Sequence, residues 1–396
     1  MSDSLIAITN GHIYAPDTVY TPGVVLVRNK TIEAVGSTRE VAIPSEATVV
    51  DASGHAVVPG FIDLHIHGAL GHDAMGRELS YVVQALPSFG VTTFLATTLT
   101  LPHDETVARL AAMADVLSSP PVGAACAGIH LEGPFLSAER PGMATEEWFQ
   151  PFTWEAFRSL QETAAGNIRM LSFAPEAGDG MACIPNLLAN NVIPSIGHSD
   201  ASFEDVECAV KLGLNHSTHT FNAMRPMHHR KPGVAGAVLF FDEIVAELIA
   251  DGLHIHPAVL SIALRAKGIG RVALVSDASP LAGLPDGQYE WEHKPVFVRN
   301  RSCRLADGTI AGAHALLDTG VRNLAKLLDV PLAEALIPAT AVPADVLGLK
   351  KGRLSPGHDA DIVILDADHR PRQTFVGGRE VFRRPDSGRS PILEVA

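Results

Sequence analysis

Residues 57–68 read VVPGFIDLHIHG, an apolar run that closes on two histidines one residue apart. On a strand, side chains i and i+2 share a face, so His65 and His67 point the same way. Two imidazoles on one face can share a divalent ion. An isolated H-x-H is common, so its meaning depends on whether other strand ends repeat the pattern. They do: polar groups follow apolar runs in IHLEGP (129–134), IGHSD (196–200), STHTFN (217–222) and LVSDA (274–278). These place Glu132, His198, His219 and Asp277 beside the first pair, each at the end of a predicted strand.

Eight apolar runs lie between 57 and 276: 57–65, 91–98, 124–131, 168–174, 192–197, 214–220, 244–250 and 271–276. Most are separated by stretches of helical periodicity. Near-continuous apolar strands alternating with helices predict a parallel sheet buried on both faces. Eight units over about 300 residues fit a (β/α)8 TIM barrel. In that fold the C-terminal strand ends form the active-site mouth, where all six candidate residues converge. Neutral imidazoles with one carboxylate suit Zn2+ and also accept Fe2+ or Co2+.

Outside this stretch the texture is short strands and turns, at 5–9, 12–14, 23–28, 31–35 and 48–51, and again at 361–365 and 374–382, the last broken by Gly377 and Gly378. The two ends are expected to pair as a small β-sandwich of residues 1–56 and 353–396, beside a barrel domain of residues 57–352. Residues 281–307 carry no clear pattern and are expected to decorate the barrel top irregularly.

The formal net charge of −14 argues against a nucleic-acid partner, which needs clustered Lys and Arg. Cys126, Cys183, Cys208 and Cys303 are scattered and form no C-x-x-C pair, so neither a disulfide framework nor a zinc finger is expected. The start, MSDSLIAITNGHIYAP, lacks a basic segment and a long apolar run, and no stretch approaches the roughly 18 apolar residues of a spanning helix. A cytoplasmic protein with no membrane partner is expected.

The motifs PGFIDLHIHG (59–68), HLEGPF (130–135), GHSDA (197–201), THTFNAM (218–224), ADGLHIHP (250–257), VSDA (275–278) and SPGHDADIVILD (355–366) together resemble the amidohydrolase superfamily, and within it the N-acetylglucosamine-6-phosphate deacetylase family. The resemblance runs from about residue 10 to residue 382. It implies a barrel beside a terminal β-sandwich, and an enzyme hydrolysing a linear amide of a sugar phosphate, as a homodimer. Glu132, His198 and His219 match the ligands of its principal metal site. His65 and His67 match members whose H-x-H pair can hold a second ion, so one or two ions per subunit are implied. Asp277 matches the general acid/base. Asn222, Ala223, His254, Ala144, Ile310, Ala311 and Gly312 match substrate contacts. Arg230, in HHRKPG, matches an arginine that grips the phosphate across a dimer interface.

One element departs from the family. Where relatives carry Gly-Ala/Thr-His or Gln, this chain has Pro141-Gly142-Met143-Ala144, with no polar side chain at the last two positions. Either His228 or His229 compensates, or the preferred amide differs. Competing readings are another N-acetylhexosamine phosphate, an unphosphorylated N-acyl substrate, and a non-catalytic scaffold of the same fold. The scaffold reading sits poorly with an intact set of five ligands and Asp277.

Overall fold

The computed structural model describes residues 4–385; the last eleven residues of the expected 353–396 segment lie outside this range. Eight strands form one continuous parallel sheet in chain order: β1 (Phe61–Ile66), β2 (Val91–Thr97), β3 (Ala125–Glu132), β4 (Ile168–Phe173), β5 (Ile193–Ile196), β6 (His216–Ser217), β7 (Val245–Ile249) and β8 (Val272–Val275). The barrel closes from β8 to β1. Ile66 and Ala278 form a parallel bridge, the Asp277 amide donates to the His65 carbonyl at 2.9 Å, and the His67 amide donates to the Ala278 carbonyl at 2.9 Å. Helices alternate with the strands, among them Leu79–Ala85, His103–Ser118 and Phe203–Lys211.

Adjacent residues on one strand fall into different apolar clusters. Ile62, Leu95, Met170, Ile249 and Val275 belong to one, and Phe61, Phe94, Leu171, Leu248 and Leu274 to another. That alternation is how a sheet buried on both faces arises from apolar runs without polar gaps.

The run 57–65, expected to be one strand, is split between two sheets. Ala56–Pro59 pairs antiparallel with Ile362–Leu365 in the terminal sheet, and only after Gly60 does the chain enter the barrel. A Cβ at Gly60 would lie 2.1 Å from Thr92 Oγ1, so glycine permits this close crossing. The expected boundary at 56/57 therefore moves to Gly60. The terminal segments join through eight strands into one mixed sheet, and Ile8, Val25 and Ile32 share a buried cluster with Ile362, Ile364 and Phe375.

Residues 281–307 are a second correction. They are not irregular: Gly287–Trp291, Lys294–Arg299, Ser302–Arg304 and Ile310–Ala313 form a four-stranded antiparallel sheet. Its two tight turns, Glu292-His293 (φ 49° and 62°) and Asn300-Arg301 (φ 50° and 63°), have both central residues left-handed. That is type I′ geometry, usually announced by Asn-Gly or Asp-Gly. Three of these four positions lack the residues that signal it, which hid the hairpins.

The loop after β3 is pinned by aromatic packing. Phe135 stacks on Phe152 with ring centroids 4.4 Å apart, and Phe173 meets Phe152 edge-on at 5.3 Å. All three are fully buried. Phe152→Ala is expected to cost about 3–5 kcal/mol, read by denaturant unfolding; a loss under about 1 kcal/mol would contradict this packing account.

Candidate active site and metal centre

Six polar side chains meet at the barrel mouth, each less than a tenth exposed. His198 and His219 approach each other at 3.2 Å through Nε2, and Glu132 Oε1 lies 3.2 Å and 2.9 Å from these atoms. The other carboxylate oxygen, Oε2, lies 3.6 Å from His65 Nε2 and 3.4 Å from His67 Nε2. Those two nitrogens are 3.2 Å apart, and Asp277 Oδ1 sits 3.4 Å and 3.2 Å from them. Two donor sets result, Glu132–His198–His219 and His65–His67–Asp277, with Glu132 facing both.

The chain turns sharply to make this convergence. His198, His219 and Asp277 have φ of 48°, 28° and 49°, a region that costs a non-glycine residue roughly 1–3 kcal/mol and clusters at functional sites. Surrounding hydrogen bonds hold these bends. The His198 carbonyl accepts from the Ser137 amide at 2.9 Å. A capping box of Ser202 and Asp205 starts the helix leaving GHSDA. Asp200 ties Arg140, at 2.7 Å, and Arg225 to one point. The Arg140 carbonyl in turn accepts from His198 Nδ1 at 2.9 Å, which leaves the His198 Nε2 lone pair aimed into the site. Gly142, at φ 61°, lies against His198, where a Cβ would be 3.0 Å from the ring.

The donor set fits a divalent ion. Ligand atoms about 2.0–2.1 Å from a tetrahedral centre lie roughly 3.3–3.4 Å apart, close to the separations here. Facing imidazole lone pairs repel unless a proton or an ion lies between them. The electrostatics carry the same message. Burial pushes the Glu132 carboxyl up, yet His65, His198 and His219 hold it well below the usual carboxylate range. Burial likewise works against Asp277, but His65, His67 and His219 bring it down to about 2. His65 moves oppositely: burial disfavours its charged form, and Glu132 and Asp277 raise its pKa well above the ordinary value. The cluster calls for positive charge at its centre.

Above these residues opens a cavity of about 840 Å3 with its mouth included, lined also by Asn222, Ala223, His254, Ala144, Ile310 and Gly312. Of the remaining expected contacts, Ala311 is buried among the hairpin residues Trp291, Val296 and Val298 and does not line the cavity. Arg230 is exposed and also outside it, with its Nη1 2.9 Å from His229 Nε2. His228 and His229 are likewise exposed and absent from the cavity lining within this chain. Among the described residues, no Lys or Arg lines the cavity.

Several site residues were not read from the sequence. Trp291 comes from the unrecognised hairpin; its ring centroid lies 5.7 Å from that of His67 and its Nε1 donates to Asp73 at 3.3 Å. His130, two residues before Glu132, spends both ring nitrogens on the Leu64 carbonyl and on Ser172, at 2.9 Å and 2.6 Å; burial and nearby His65 push its pKa down to about 3. Glu247 lies under the site. Period-2 spacing from Glu132 was the available signal for His130, and a lone acid in VAELI for Glu247.

Known proteins resemble this chain along most of its length. The amidohydrolase family model matches residues 56–381. An N-acetylglucosamine-6-phosphate deacetylase of Bacillus subtilis is 36% identical over 390 residues, covering 96% of this chain and 98% of its own. Among solved structures, an N-acetylglucosamine-6-phosphate deacetylase from Pasteurella multocida superposes with a TM-score of 0.88 at 28% identity, covering 95% of this chain and 99% of its own. A mutant Mycobacterium smegmatis enzyme, in complex with N-acetyl-D-glucosamine-6-phosphate, gives 0.88 at 29% identity, covering 96% and 99%. With a family model spanning most of its length and a relative of this identity matching end to end, the chain belongs to the amidohydrolase family and, within it, to the N-acetylglucosamine-6-phosphate deacetylases.

Proposed function

We propose that this chain hydrolyses the acetamide of N-acetylglucosamine 6-phosphate to glucosamine 6-phosphate and acetate. The observation that carries the reading is the convergence of four imidazole Nε2 atoms, Glu132 and Asp277 at the floor of one cavity. His65, His67, Glu132, His198 and His219 would hold one or two divalent ions, Zn2+ first and Fe2+ or Co2+ also compatible. Such an ion supplies Lewis acidity towards the amide carbonyl and acidifies bound water.

The protein's own groups handle the protons. Asp277 is ionised at neutral pH, as a base must be; it accepts a proton from the attacking water and returns it to the sugar nitrogen as the C–N bond breaks. Water's oxygen ends on the acetyl carbon, and the amine leaves neutral. His254 is positioned by Asp251, whose Oδ2 lies 2.8 Å from His254 Nδ1, so its other nitrogen is free for a substrate hydroxyl or carbonyl.

That pair makes a pH prediction. Burial disfavours protonated His254, but Asp251 raises its pKa, so the proton is kept to higher pH than in a free imidazole. Removing the carboxylate lowers that pKa. In Asp251→Asn the alkaline limb of kcat/KM is expected to move to lower pH; an unmoved limb would exclude His254 as a working donor.

A second reading is favoured by one observation. Among the described residues the cavity has no Lys or Arg in its lining, and it has no polar side chain at Ala144, which suits an unphosphorylated N-acyl substrate. The two separate on rates of acetate release from N-acetylglucosamine with and without the 6-phosphate. For the phosphorylated sugar, Arg230 of a second copy would complete the site through its bidentate fork. Arg230→Ala is then expected to raise KM at least tenfold for the phosphate and leave the plain sugar unchanged. Equal rates on both sugars, untouched by Arg230→Ala, would favour the second reading.

A further inference from the structure

Glu247 sits mid-strand on β7 with no exposed surface. A buried carboxylate is costly unless donors surround it, and here every polar contact is a donor. Oε2 lies 3.2 Å from His65 Nδ1 and accepts from the His219 amide at 3.1 Å, while Oε1 is 3.0 Å from His216 Nε2. Glu247 accepts at both oxygens, so the imidazole nitrogens facing it, His65 Nδ1 and His216 Nε2, act as N–H donors.

Two consequences follow for the ligands above. With its proton fixed on Nδ1, His65 presents Nε2 to His67, Glu132 and Asp277 in one orientation only. His219, bent at φ 28°, has its backbone held by the same Glu247 oxygen, and its Nε2 serves the other donor set beside Glu132 and His198. A single carboxylate oxygen therefore orients one ligand from each set. It does so from β7, reaching one neighbour on the β6 side and, past β8, a histidine on β1. The adjacent His130 cannot take over, because both its ring nitrogens are engaged elsewhere.

We propose that Glu247 is a positioning residue that sets the ion affinity of both donor sets, by fixing the His65 tautomer and the His219 backbone and by supplying negative charge behind them. This rests on the metal-dependent reading above. Carboxylates placed behind a metal-bound histidine typically change ion affinity 10–100-fold.

The test is a Co2+ titration of the full-length, chelator-stripped protein, followed by visible absorption, for wild type, Glu247→Gln and Glu247→Asp. Melting temperatures of the metal-free forms are recorded alongside. Glu247→Gln is expected to bind Co2+ 10–100-fold more weakly with an altered spectrum. Glu247→Asp keeps the charge but is a methylene too short to serve His65 and His216 together, and is expected to bind at least threefold more weakly; it carries the test alone if the Gln variant does not fold. Wild-type affinity and spectrum in either folded variant overturn the proposal, as does a lowered melting temperature with unchanged affinity. If wild type itself binds no Co2+, the metal-dependent reading fails, and this inference with it.

Discussion

Asp277→Asn is expected to lower kcat by roughly three orders of magnitude, within the 10²–10⁴ range that a positioned general acid–base supplies. The substitution is nearly isosteric, so the cavity keeps its shape, but an amide cannot take water's proton or return it to the leaving nitrogen. Because Asp277 Oδ1 also faces His65 and His67 at 3.4 Å and 3.2 Å, any ion between those two histidines is expected to weaken. The set of Glu132, His198 and His219 does not use Asp277 and keeps its ion. KM is expected to stay within a few-fold. Steady-state kinetics on metal-analysed protein check this; a kcat within tenfold of wild type would remove Asp277 from the proton path.

Glu132→Gln is expected to abolish activity by a different route, through loss of the ion. Glu132 offers a ligand oxygen to each donor set, with Oε1 towards His198 and His219 and Oε2 towards His65 and His67. Glutamine removes the charge and turns one of these oxygens into an amide that points hydrogens at imidazole nitrogens. Metal content after desalting is expected to fall below about a tenth of an ion per chain. The wild-type protein is expected to melt lower after chelation, because a bound ion stabilises the folded state by RT ln(1 + [L]/Kd); in Glu132→Gln that response should vanish. Full metal content in the variant would show that the ion lies elsewhere.

Much of this site is legible in the sequence because of how a barrel exposes polar groups. Within β1 to β8 both faces are buried, so the strands must be apolar, and polar residues stand out where each strand meets the mouth. That is why Glu132, His198, His219 and Asp277 could be found from the ends of apolar runs, and His65 with His67 from their spacing. The same logic conceals Glu247: one acid inside VAELI breaks the pattern of a buried strand, and only its three donors, supplied by His65, His216 and His219, explain it. Trp291 was hidden for a local reason, since its hairpin turns on Glu292-His293 rather than a glycine-bearing pair.

The run 57–65 was misread as one strand because hydrophobicity does not record which sheet a residue joins; the crossing depends on the absence of a side chain at Gly60. Arg230 marks another limit. Its motif implies phosphate recognition, while within a single chain the side chain sits on an exposed loop outside the cavity. Among the described residues, no helix is long and apolar enough to cross a membrane, in line with the hydropathy of the sequence.

The most direct measurement is acetate release from N-acetylglucosamine 6-phosphate by metal-analysed protein, before chelation, after chelation and after reloading with Zn2+. Release that is lost on chelation and restored with the ion is the predicted result. Release that persists undiminished in protein stripped of all metal, or no release by fully loaded protein, would contradict the account.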